Sequence, residues 1–302
     1  MPHKIWLNEK EYRLIPRVSD LVSAYSCQMT AVLNPINSKK KDNKIKSNMY
    51  ALRGTIIHHR IEQDIRKSLG FKEEPLVLNP ADQRLYKYIL KNKSLTKELE
   101  KQIDISLLNF YSFMDKYGVT PISPEEKLVY IHKDKNGQID VYKSLKGTID
   151  LIGEVETENG TETVLIDWKT ADSYKEEYQI QLTAYKWLFY NTGRYDEMKK
   201  DGLIKYPMSK WTYLNGEYDI ERALLVLLGD PNTFKANWVN VHDETEFFRA
   251  QKTFRRPKET FRSMKKYGKH MSLKLHCMVC SYRDECPFYC TVNIDEEGEN
   301  SE

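Results

Sequence analysis

A short apolar run, Val164-Leu165-Ile166, ends in Asp167, Trp168 and Lys169. Gly160 and Thr170-Ala171-Asp172 bound it, the pattern of a strand covered on both faces. On such a strand Asp167 and Lys169 point to one side and Trp168 to the other. One strand earlier, Asp150 interrupts the apolar stretch Ile149, Leu151 and Ile152. Charges at the end of a buried strand are costly unless paired. Two carboxylates converging on a lysine suit Mg²⁺ or Mn²⁺, hard ions that prefer oxygen ligands. The lysine would then orient a water or help to deprotonate it. An ordinary hairpin with a buried salt bridge is the other reading that these residues leave open.

The elements around this stretch must position it. Leu128-Val129-Tyr130-Ile131 reads as a strand, and Lys135-Asn136-Gly137 is a turn signal joining it to the strand that reaches Asp150. Asn159-Gly160 is a second turn, so three consecutive strands form an antiparallel meander. A helix follows with Tyr178, Gln181, Leu182, Tyr185 and Leu188; Gln181 and Tyr185 stand four apart, on one face. Ala223 to Gly229 reads as another buried strand. Upstream, Leu52, Ile56, Ile57 and Ile61 fit a helical period that carries His58 and Glu62 on a shared face. Residues 80–117 read as helices, which Pro121 and Pro124 are expected to end. Ser19 or Asp20 suits the cap of a short helix before Cys27.

The chain has 302 residues, 40% of them hydrophobic, and a formal net charge of +3. That length suits one large domain, and that apolar fraction suits a sizeable core. The weak net charge does not announce nucleic acid, but its distribution is uneven. Lys252, Arg255, Arg256, Lys258, Arg262, Lys265, Lys266 and Lys269 cluster with Phe254 and Phe261 between them. A second lysine-rich stretch, 39–46, reads as a basic loop. Both suit contact with a phosphate backbone, and both also suit a solvated surface. We expect an acidic, disordered tail over 291–302. No secretory signal and no apolar run of membrane-spanning length are present, so a soluble, cytoplasmic protein is expected.

Four of the five cysteines, Cys277, Cys280, Cys286 and Cys290, crowd into fourteen residues; Cys27 stands far upstream. In a reducing compartment such a cluster points to a metal site before a disulfide framework.

These pieces combine into a pattern. Gly54-Thr55-x-x-His58-x-x-x-Glu62, Gly147-x-x-Asp150, Asp167-x-Lys169 and Gln181-x-x-x-Tyr185 occur in that order on suitable elements. None of the four is specific alone; together they resemble the RecB-like branch of the PD-(D/E)XK nucleases. Cys277-x-x-Cys280-x₅-Cys286 with one distant cysteine resembles the iron–sulfur subset, that of the CRISPR-associated RecB-like exonucleases and the AddB nuclease domains. The resemblance covers residues of about 20 to 290; 71–120 and 191–270 carry no motif that aligns.

The resemblance implies an α/β fold: a restriction-endonuclease-like mixed sheet flanked by helices, with an iron–sulfur site joining the N- and C-terminal segments. A single domain over 1–290 is expected, with its core at 121–230 and a helical elaboration at 63–120. A basic helical segment at 243–274 and the cysteines of 277–290 complete it. His58, Asp150, Asp167 and the Trp168 carbonyl would ligate the metal, Lys169 would activate the water, and Glu62 would sit beside the ligands. Gln181 and Tyr185 would support the site and meet the substrate. Arg255, Arg256, Lys258, Arg262, Lys265 and Lys266 would bind nucleic acid. Cys27, Cys277, Cys280 and Cys286 would hold a 4Fe–4S cluster, whereas Cys277, Cys280, Cys286 and Cys290 would make a local Zn²⁺ site.

The activity implied is metal-dependent hydrolysis of DNA, as an exonuclease on single-stranded ends that leaves 5′-phosphates. The setting would be repair or recombination, CRISPR adaptation or viral DNA processing. No GxxxxGK[ST] loop occurs, so a helicase or a CRISPR or recombination partner would be a separate protein. Two other readings stay open: a catalytically silent iron–sulfur DNA-binding adaptor with the same fold, and an interaction scaffold with a zinc knuckle.

Overall fold

The computed structural model describes residues 15–26, 49–132, 143–191, 220 and 222–242, with scattered positions in 136–140 and 244–248. Ten elements follow in order: α1 (Val18–Ser26), α2 (Met49–Ser68), α3 (Pro80–Leu90), α4 (Lys93–Lys116), β1 (Thr120–Tyr130), β2 (Leu145–Thr157), β3 (Gly160–Lys169), α5 (Glu177–Asn191), β4 (Arg222–Leu227) and β5 (Lys235–Asn240). All five cysteines, the lysine-rich stretch 39–46, the tail and the basic residues Arg255, Arg256, Lys258, Arg262, Lys265 and Lys266 lie outside the described residues.

The strands form one mixed sheet in the order β1-β2-β3-β4-β5. β1, β2 and β3 are the expected antiparallel meander; β3 and β4 run parallel, with α5 between them in the chain; β5 returns antiparallel. A parallel pair needs such a crossover, because a tight turn cannot reverse the chain twice. Helices cover both faces. On one, α1 and α5 bury Val18, Leu21, Leu182 and Leu188 against Leu145, Ile149, Leu165 and Leu225. On the other, α2 and α4 bury Ile57, Ile61, Phe110 and Phe113 against Leu151, Val164, Ile166 and Trp168. Coverage on both faces is why β4 reads as an unbroken apolar run.

Asn92 explains why the helical stretch 80–117 is two helices. Its side chain accepts from the Ser94 and Leu95 N–H groups and so starts α4 two residues after the α3 cap, Lys91. The helical region ends at Lys116, ahead of Pro121 and Pro124 as expected, and both prolines lie inside β1. β1 is an edge strand, where a missing N–H is tolerated, and the pairing shifts by one residue between Pro121 and Ser123. β5, the other edge, has no counterpart in the sequence pattern; its polar outer residues leave too weak an apolar signal. Among the described residues, no helix is long and apolar enough to cross a membrane.

Candidate active site

The site forms where the β2–β3 ladder stops. Pairing runs from Thr157↔Gly160 to Leu151↔Ile166. One residue further, the Asp150 side chain takes the place of a backbone acceptor: its Oδ2 accepts the Trp168 N–H at 3.0 Å. The other oxygen, Oδ1, lies 3.4 Å from His58 Nδ1. A carboxylate held from both sides in this way has its direction set before any ligand arrives.

His58 comes from α2, whose Leu52, Ile56, Ile57, Ile61 and Ile65 are buried against the sheet and α4. Arg53 ties this helix to the end of β3, donating to the Thr170 carbonyl and to Gln102 Oε1, each at 3.1 Å. The His58 ring stands 6.1 Å from that of Trp168, tilted by 55°. Trp168, whose carbonyl the resemblance makes a ligand, pairs with Val226 in the β3–β4 ladder.

β1 adds a residue that the motif reading missed. Pro124 pairs with Leu151 and Glu126 with Ile149, so Glu125 sits across from Asp150. Its φ is 48°, the left-handed region that a non-glycine residue enters at a cost of order 1–3 kcal/mol. Strain of that kind persists where surrounding structure over-determines it, and here it brings a carboxylate to the cluster. His58, Glu125 and Asp150 each offer a ligand atom, all within 4.8 Å of one another. The only sequence signal was an acidic pair, Glu125-Glu126, just ahead of an apolar strand.

Asp167 and Lys169 project from the opposite face of β3 to Trp168, as alternation requires. Asp167 is 1% exposed. Its Oδ2 lies 2.5 Å from Lys169 Nζ, yet neither oxygen has a well-aligned hydrogen-bond donor among the described residues. We read the contact as charge pairing that leaves Oδ1 unsatisfied. Lys169 Nζ also lies 5.5 Å from the centre of the Tyr178 ring, a cation–π distance. From α5, Gln181 Nε2 donates to the Tyr185 hydroxyl at 2.9 Å. Glu62 turns elsewhere: its carboxylate lies 3.5 Å from Arg66 and 3.9 Å from His59.

Burial and mutual charge set the protonation of this group. Burial, then the Asp150 charge, push Glu125 up to about 8. Burial raises Asp167 to about 6 against the pull of Lys169, and the Asp150 charge adds to the rise. Burial alone would raise Asp150, but His58, Lys169 and the Trp168 N–H outweigh it and hold the carboxyl below its usual value. Burial alone would lower His58 and Lys169; Asp150 outweighs it at His58, and Asp167 with Asp150 at Lys169, so both stay raised. Burial lifts the Tyr185 hydroxyl well above its usual value, with Asp167 and Asp150 adding to the effect.

Two carboxylates and an imidazole, Glu125, Asp150 and His58, lie close enough together to hold a divalent cation, and carboxylate oxygens suit Mg²⁺ or Mn²⁺. The positive charge would compensate carboxylates that otherwise repel each other.

A family model described as PD-(D/E)XK nuclease superfamily matches residues 18–287. A solved structure titled "Crystal structure of SSO0001" is 14% identical, over 86% of this chain and 97% of that one, with a TM-score of 0.33. A likeness at that score says nothing about the chemistry of this chain. No curated protein sequence matches the chain.

Proposed function

The chain belongs to the PD-(D/E)XK nuclease superfamily, and we propose that it is a divalent-metal-dependent deoxyribonuclease acting on single-stranded ends as an exonuclease. One observation carries the reading most: His58, Glu125 and Asp150 gather their ligand atoms within 4.8 Å of one another, with the buried Asp167–Lys169 pair on the neighbouring strand.

His58, Glu125, Asp150 and Asp167 would hold Mg²⁺ or Mn²⁺, which when bound polarises a phosphoryl oxygen and lowers the pKa of a water. Lys169 stays an ammonium in this setting, so it donates to the water and orients it rather than taking its proton. Tyr178 lies against that ammonium and, with Asp167, fixes its position. Gln181 and Tyr185 form the wall beside the carboxylates. In-line attack of the water oxygen on phosphorus would break the bond to the 3′ oxygen; the water gives a proton to solvent and the 3′ oxygen takes one from it, leaving a 3′-hydroxyl and a 5′-phosphate.

The finer readings rest on sequence. The basic run 252–269 with its interleaved phenylalanines supports a single-stranded track. The cysteine spacing supports a 4Fe–4S cluster on Cys27, Cys277, Cys280 and Cys286; Cys27 directly follows α1, which packs against α5 and β2. A helicase, or a CRISPR or recombination protein, would present the ends inside the cell.

The test is cleavage of end-labelled single-stranded DNA with Mn²⁺ by wild type and Lys169→Ala, both purified without oxygen. Wild type is expected to degrade it, and both Lys169→Ala and EDTA to abolish degradation. A wild-type protein that binds DNA and iron but never cuts would overturn the enzyme reading. Iron analysis tests the cluster: Cys27→Ser should lose iron and Cys290→Ser keep it, and an iron-loaded Cys27→Ser protein sinks the assignment.

A further inference from the structure

A cleft of about 570 Å³ opens between the start of α1 and β2, lined by Arg17, Ser19, Lys146, Gly147, Thr148 and Tyr185 among others. Its position follows from the splayed ladder. β2 residues 145–150 pair with β1 on one side but lie beyond the last β3 pair. The start of α1 approaches β2 there: the Lys146 N–H donates to the Pro16 carbonyl at 2.9 Å, and Arg17 bridges to Lys146. Gly147 permits the approach, since a Cβ there would stand 2.8 Å from the Tyr185 ring and 2.9 Å from Val18.

Two cationic side chains therefore line one cleft. Lys146 is only 8% exposed, while Arg17 is exposed. Burial and the Arg17 charge bring the Lys146 ammonium down to about 8, against a smaller upward pull from Asp20. The Asp20 Oδ2 accepts the Arg17 N–H at 2.8 Å. The first N–H groups of α1 and the hydroxyls of Ser19, Thr148 and Tyr185 add donors, and no apolar ligand would use them. An ammonium and a guanidinium on one wall repel each other, and an anion between them relieves that repulsion.

Resting on the nuclease reading above, we propose that this cleft is a phosphate subsite that grips the DNA strand a few nucleotides from the bond being cut. Arg17 and Lys146 supply the charge, and Ser19, Thr148 and the α1 N-terminus supply hydrogen bonds. The spacing supports this: Lys146 and Asp150 are four residues apart on one strand, about 13 Å at ~3.3 Å per residue, so a strand held at both would be gripped away from the bond being cut. Tyr185 joins the two places, since its hydroxyl feels Asp167 and Asp150 while the residue lines the cleft.

The experiment is fluorescence-anisotropy binding of labelled single-stranded oligonucleotides in EDTA, with no cleavage, across a salt series. Arg17→Gln and Lys146→Gln are each expected to weaken binding about tenfold and to flatten the log Kd against log salt slope by about 0.7, the share of one phosphate contact on a single strand. Lys146→Arg should restore most of the binding, and Lys67→Gln, an exposed lysine at the end of α2, should leave both quantities unchanged. Arg17 is exposed, so that variant remains informative if Lys146→Gln unfolds. Oligonucleotides with a 5′-phosphate, with a 5′-hydroxyl, and closed into circles separate the sources. A loss confined to the 5′-phosphorylated ends assigns the cleft to a terminal phosphate; an equal loss on circles assigns it to an internal diester. Wild-type affinity and slope in both variants overturn the subsite, even if wild type cuts DNA with Mn²⁺. Altered binding in a protein that never cuts leaves the subsite standing and removes the catalytic reading alone.

Discussion

The two halves of β2 behave as different materials. From Leu151 to Glu154 the strand has a neighbour on both sides, and Leu151 and Ile152 are buried in the two cores. From Leu145 to Asp150 it keeps β1 but has no β3 pairs, and there it carries Lys146, Gly147, Thr148 and Asp150. A fully laddered strand has its polar backbone satisfied and can devote its side chains to packing. Where the ladder ends, side chains take over the bonding: Asp150 receives the Trp168 N–H that a backbone carbonyl would otherwise take. The chemistry sits in the half that gave up its partner.

That contrast can be broken by exchanging what each half supplies. Asp150→Asn keeps an oxygen for the Trp168 N–H but removes the charge, so the protein should fold while cleavage falls by about 10³-fold, the scale of losing one charge-stabilising group. Near-normal cleavage in a folded Asp150→Asn protein would move the site elsewhere. In the laddered half, Ile152→Ala should cost about 2–5 kcal/mol of unfolding free energy, as cavity-forming changes in tight cores do. Urea melts read that loss directly, and a change under about 1 kcal/mol, well below that range, would mean the two halves pack alike.

The smallest expected effect concerns pH. Glu125 at about 8 and Asp167 at about 6 both lie above their ordinary values of 4.5 and 3.8. The folded protein thus holds protons that the unfolded chain has released, and stability without metal is lost as pH rises from about 4 towards 8. Raised His58 acts in the same direction near neutrality. Depressed Asp150 contributes stability that is lost only as pH falls through the acid range. Metal binding should displace protons from Glu125 and Asp167, so Mn²⁺ affinity should rise with pH over this window. Thermal melts from about pH 5 to 8, with and without Mn²⁺, check both signs; a stabilisation by Mn²⁺ that shrinks with pH contradicts the ligand set.

Much of this arrangement was legible in the chain because it depends on short-range periodicity. Alternation placed Asp167 and Lys169 opposite Trp168, a helical period placed His58 over an apolar stripe, and turn residues announced the meander. Those regularities arise from backbone geometry that neighbouring residues share. Other features depend on residues far apart in sequence. Glu125 reaches Asp150 only through the β1–β2 register after a bulge, which no local pattern encodes. Glu62 shares a helical face with His58, as its spacing requires, yet its charge is drawn to Arg66 and His59. The prolines of β1 are tolerated because that strand lies at the sheet edge, and edge status is decided by the order of all five strands. Arg17 and Lys146 stand far apart in the chain and meet because the β2–β3 ladder ends early and the start of α1 approaches β2 beyond it. Apart from β5, sequence thus determined which elements form and which side chains each presents; pairing across the sheet decided which of those side chains share a site, because hydrogen-bond register and packing are properties of partners and not of segments.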